Sequence, residues 1–204
     1  NQLCQTILMF GSRAFFMNKQ AKVNRGFFTA ILSAFSDLDA STCKQIEIRN
    51  KESQLLPLLY FTCFILLLSQ LIQVTSQVQE APYLSVITAV IVSYLFFLPI
   101  FMYIISLILH LVLKMFGAIS SSFQTRLGVF WSLAISALII LFVSIAKIFT
   151  NGTTELFIVI FSELVVVYIF SRILGFVSNF RDRNLFTLVI ISFYLMPVIL
   201  INFS

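Results

Sequence analysis

The chain has 204 residues, 60% of them hydrophobic and only 10% charged, and its mean hydropathy of +1.03 excludes an ordinary soluble domain. Its formal net charge of +5 does not mark a nucleic-acid binder, because the basic residues are scattered over several short polar stretches rather than gathered in one stripe. Twenty-four phenylalanines, six glycines and no regular ten-residue alternation exclude a transmembrane barrel and leave an all-α polytopic membrane protein.

Residues 1–53 are too polar to span a bilayer and form a first, cytoplasmic or interfacial segment. Within it Phe27, Phe28, Ile31, Leu32, Phe35 and Leu38 recur at helical spacing, which predicts an amphipathic helix of three to four turns. Asn24 is its expected N-cap, and Ser36 to Asp39 end its apolar stripe. A weaker stripe uses Leu3, Ile7, Leu8 and Phe10. With Arg13, Lys19, Lys22 and Arg25 between them, the two helices are expected on the cytoplasmic leaflet, against anionic lipid. Folding back on the bundle, or pairing with another protein, stays open. The mixed charges of "KQIEIRNKES", 44–53, predict a solvated connector.

Residues 54–204 form the membrane domain. A hydrocarbon core of about 30 Å needs roughly 20 helical residues, and five stretches qualify, near 54–73, 84–109, 127–149, 154–177 and 184–203. Pro99 should kink the second, since it leaves the carbonyl of Leu95 without its usual donor, and Pro197 threatens the fifth in the same way.

Basic residues set the expected orientation. Arg13, Lys19, Lys22, Arg25, Lys44, Arg49 and Lys51 precede the first span, Lys114 and Arg126 fall between the second and third, and Arg172, Arg181 and Arg183 fall near the fourth turn. Only Lys147 falls on the other side. This asymmetry predicts a cytoplasmic N-terminus and an outer C-terminus. Cys4, Cys43 and Cys63 are odd in number and lack CxxC spacing, so three free thiols are expected and no zinc site.

Glu163 is the one acid deep in a span, about 13 Å from the outer end by helical rise. A charge at that depth costs roughly 3 kcal/mol or more, which makes it a functional candidate by default. Thr62, Tyr94, Ser136 and Tyr194 reach similar depth on the other four helices and are its expected hydrogen-bond partners. Such a cluster could be a proton or cation site, or an interhelical polar clamp.

No phosphate-binding loop, nucleophile elbow or multi-histidine zinc motif occurs, and no cofactor is indicated. His110, the only histidine, has an adequate explanation at the cytoplasmic end of the second span, where the helix dipole favours a cation and Lys114 follows one turn later. Gly117 and Ser120 to Ser122 should turn the chain, with Arg126 and Trp131 anchoring the third span at the interface.

Over residues 80–180 the order of features resembles the Yip1-domain family, particularly its bacterial members. The matching elements are Glu80 to Pro82, "FLPIFMYIISLILHLVLK", the loop at Gly117 and "SFQTRLGVFWSLAI"; Ala118 departs from the paired glycine common in that family. The resemblance implies a non-enzymatic integral membrane protein of five spans with a cytoplasmic N-terminal region. It favours a bacterial inner membrane over an organellar one. It implies no particular binding site.

Two functions follow. In the first, a membrane scaffold or assembly factor recruits an acidic protein face or anionic lipid to a basic cytoplasmic platform, with Arg126, Arg181, Arg183 and Lys114 as contacts. In the second, a small transporter or channel component uses Glu163. An accessory subunit of a larger membrane complex is a further alternative. Expected partners are membrane lipids and other membrane or cytoplasmic proteins, not nucleic acid.

Overall fold

The computed structural model describes residues 27–49, 51–77, 83–150, 152–180, 184, 186–192 and 194. The stripe at Leu3 to Phe10, the cap at Asn24, the basic residues between them, Glu80 to Pro82 and Pro197 lie outside the described residues. So does most of the expected fifth span, of which 184, 186–192 and 194 are helical.

One aspartate divides the N-terminal helical stretch in two. Helix α1 is Phe27–Ser36 and α2 is Leu38–Ile48. Asp37 between them is extended, and its side chain accepts the backbone N–H of Ala40 at 3.0 Å, the bond an N-cap makes. Ile31 and Ala34 of α1 are buried in the main core, whereas Leu32 and Phe35 point outward. The connector expected from 44 onward is partly wrong, since 44–48 continue α2. Its Thr42, Cys43 and Gln45 are buried, and the helix packs on α6 and α7, defined below. A polar composition conceals this contact because the buried face lies over helix ends, where polar groups find partners. The expectation of three free thiols is also corrected: Cys43 is disulfide-bonded, while Cys63 is free and buried.

A short 3-10 turn, Glu52–Gln54, leads into α3, Leu55–Gln77. Helices α4, Tyr83–Val92, and α5, Leu98–Met115, form one long segment joined through a π-helical turn at Ser93–Phe97. There the N–H of Leu98 reaches back five residues to the carbonyl of Ser93. The turn lies directly before Pro99, so the wider register adjusts the ladder where proline has no N–H to give. Helices α6, Ser122–Phe149, and α7, Thr153–Val177, follow.

Among the described residues every element is helical, and four segments are long and apolar enough to cross a membrane: Glu52–Thr75, Leu84–Met115, Ser122–Phe149 and Thr153–Val177. This is the architecture of an integral membrane protein. The third starts earlier than expected because Ser121 and Gln124 close a reciprocal capping box, with bonds of 3.0 and 3.2 Å. Five additional residues place Trp131 nearly three turns inside α6. It is fully buried in the core, not an anchor at the interface.

Helix α6 is the hub, touching α3, α5 and α7 as well as α1 and α2. Its packing against α7 depends on Gly128, where an added Cβ would stand 3.0 Å from a Val177 methyl. The α5–α6 turn is a Schellman stop: Gly117 takes φ +83°, and Ala118 N–H bonds to Leu113 carbonyl at 3.0 Å. Its next residue, Ile119, donates to the carbonyl of Ser178 at 3.4 Å, so this turn and the end of α7 lie together.

A candidate intramembrane polar cleft and a polar end layer

Two groups of polar side chains stand out against the apolar helices. The first lies between α3, α6, α7 and the helical segment that carries Tyr194. Residue Glu163 is the eleventh of α7, about 15 Å along the axis from Thr153. It is exposed to a cleft of about 490 Å³, and its carboxylate Oε2 accepts a short hydrogen bond from the hydroxyl of Tyr194.

The opposite wall is built on Ser144. Its hydroxyl lies 2.6 Å from that of Ser69 and accepts from Gln73 Nε2 at 2.8 Å, tying α6 to α3. The same hydroxyl bonds the carbonyl of Ile140 at 2.9 Å. Ser162 lines the cleft while donating to the carbonyl of Val159 at 2.7 Å. At the end nearer the α6–α7 turn, Lys147 meets Glu155 at 3.7 Å. The remaining lining is aliphatic: Ile140, Val143, Val159, Val166 and Val167.

Of the four residues expected around Glu163, the structure brings only Tyr194 to it. Thr62 is buried and donates to the carbonyl of Leu58, four residues back in its own helix. Tyr94 reaches Gln70 Oε1 on α3 at 3.5 Å. Ser136 is 2% exposed within the core and does not line the cleft. Equal depth was a correct condition and an incomplete one, because it ignores which way each helix faces. Spacing held a second signal: Ser69 and Gln73 stand four apart, and Ser144 and Lys147 three apart, each pair on one helical face.

Replacing Ser144 by alanine removes both links across this wall at once. Interhelical hydrogen bonds in a bilayer are worth about 0.6 kcal/mol on average, so the variant is expected to lose about 1 kcal/mol. Thermal unfolding in detergent measures it, and a melting temperature equal to that of the wild type would refute the hub role.

The second group closes the opposite end of the bundle. Arg126, at the start of α6, contacts Glu52 at 2.5 Å. Arg172, near the end of α7, reaches Asp39 of α2 at 3.4 Å and Asn184 at 3.1 Å. Arg49 bonds Gln45 at 2.6 Å, and burial lowers its guanidinium pKa from the ordinary value. His110 lies here too, its Nδ1 3.1 Å from the hydroxyl of fully buried Thr125, which lies the same distance from Ser120. The histidine thus has a structural partner within the hairpin.

The basic residues expected to meet a partner are therefore differently disposed. Arg126 is engaged with Glu52, Lys114 is exposed, and Arg181 and Arg183 lie outside the described residues. No group of three metal-ligating side chains occurs among the described residues. No family model, curated protein or solved structure matches the chain.

Proposed function

We propose that this is a non-enzymatic integral membrane protein acting as a scaffold or assembly factor, and that it recruits its partner to the α1–α2 end of the bundle. The observation that carries the reading is the way this layer is held. Asp39–Arg172 ties α2 to the end of α7, Glu52–Arg126 ties the turn that follows α2 to the start of α6, and Thr42, Cys43 and Gln45 of α2 are buried. A segment ordered in this way presents a defined surface rather than a loose tail, which lowers the entropic cost of recognition.

With Arg126 and Arg172 engaged in ion pairs, the exposed cations Lys44, Lys51 and Lys114 become the outward contacts. They suit an acidic protein face or anionic headgroups on the cytoplasmic side, where the distribution of lysine and arginine puts this end. The resemblance to Yip1-domain proteins favours the same reading, in a bacterial inner membrane.

Gentle purification from native membranes, followed by identification of co-purifying proteins and lipids, tests the proposal when run beside a Lys44→Gln, Lys51→Gln, Lys114→Gln variant. At about 1 kcal/mol per lysine, the variant is expected to bind its partner roughly a hundredfold more weakly. Recruitment by this face also makes wild-type binding salt-sensitive, so retention of the same companions by the variant, or wild-type binding indifferent to salt, would argue against it.

A further inference from the structure

The cleft at Glu163 is separate from the recruiting end and implies chemistry of its own. Among the described residues no lysine, arginine or histidine comes within 4.0 Å of Glu163, and Lys147, on the same cleft, is engaged with Glu155. A carboxylate at this depth is strongly biased toward a positive neighbour, since a lone charge in hydrocarbon is costly.

The surroundings narrow what that neighbour is. A bare divalent ion needs about six oxygens and is usually held by several carboxylates, whereas Glu163 is the one carboxylate among the described residues that line the cleft, Lys147 lines it too, and no group of three metal-ligating side chains occurs among the described residues. Oε2 accepts from Tyr194, and the carboxylate keeps acceptor capacity for the donors of an ammonium group. Beside it Val143, Val166 and Val167 form an aliphatic wall. The cleft, at about 490 Å³, falls within the range of small-molecule sites.

We infer that the cleft binds a protonated organic amine with an apolar tail, its ammonium on Glu163 and its tail along the valines. Charge complementarity sets the head, and the wall sets the tail. Recruitment at the other end of the bundle neither requires this site nor is required by it.

The experiment uses the full chain in nanodiscs of uncharged-net phosphatidylcholine and three probes of one length: octylamine, octanol and octanoate. Thermal stability is followed as each probe is added, for the wild type and for Glu163→Gln. Glutamine still accepts from Tyr194, so this exchange removes the charge and keeps the wall. Octylamine is expected to raise the wild-type melting temperature where octanol and octanoate do not, and to bind the variant at least about tenfold more weakly, the effect of about 1.4 kcal/mol. Equal responses to octylamine and octanol, or equal octylamine affinity in both proteins, would overturn the assignment. So would a basic membrane segment of another protein cross-linking to the cleft in native membranes. Should Glu163→Gln fail to fold, the comparison of the three probes on the wild type decides alone.

Discussion

Exchanging Gly128 for leucine is expected to force α6 and α7 apart and to cost about 3 kcal/mol, at the upper end of the usual overpacking range. The reason is local and geometric. A Cβ at this position would already stand 3.0 Å from Val177 Cγ2, 3.5 Å from Val177 Cβ and 3.7 Å from Ile173 Cγ2. Val177 and Ile173 are themselves buried, so neither has space into which to move. Alanine is a different case. It gains about 1 kcal/mol in helix propensity over glycine, against a contact that needs only a few tenths of an ångström of relief, so its net effect should be small. Denaturation in mixed detergent micelles would rank wild type, alanine and leucine. A leucine variant as stable as the wild type would mean that this seam is not packed as described.

Trp131→Ala is expected to be comparably severe, at about 3 kcal/mol, the low end for a large aromatic truncated in a core. The low end applies because lipid is as apolar as the protein interior. What is lost is mainly packing around the void rather than transfer from water. Trp131 is fully buried in the core cluster, so truncating it opens a void with no solvent-facing side. Phe142, on the same helix but 68% exposed, supplies the contrast, and its alanine variant should melt close to the wild type. If both variants melted alike, burial would not be what separates these positions.

The same contrast shows what could be read in advance. Phe142 and Phe130 are identical letters in one apolar helix, and nothing in their neighbourhood announces that one faces outward and the other inward. The existence of the four described spans was legible, since each is a long apolar run; the second continues six residues past its expected end at 109, to Met115, because His110 and Lys114 are tolerated in its last turns. The stop at Gly117 was legible too, because a left-handed residue is needed there. The start of α6 was misplaced by five residues because the polar first turn, "SFQTR", looks like loop until its capping box is recognised. With that error went the placing of Trp131. The α2 helix was missed in part because a mixed-charge stretch scores as solvated even when its polar face covers helix ends.

The candidate site divides in the same manner. Glu163 drew notice as an acid in an apolar run, and Tyr194 could be matched to it by depth. Ser69, Gln73 and Ser144 carry no such mark in the sequence, since serine and glutamine near a span's end have no comparable cost.

By itself the sequence determined that the chain is helical and membrane-embedded, where its described spans run, and which acid stands out within them. Those properties follow from local energetics: backbone groups in hydrocarbon must bond within the helix, and each charge there is costly. The tertiary structure alone decided that α6 is the hub, that Arg126 and Arg172 pair with Glu52 and Asp39, and that Glu163 meets Tyr194 on an open cleft. Those depend on which side of each helix faces another. Lipid and protein interior are equally apolar, so hydrophobic pattern cannot distinguish the two faces, and only the close fit of small residues and the pairing of polar ones does.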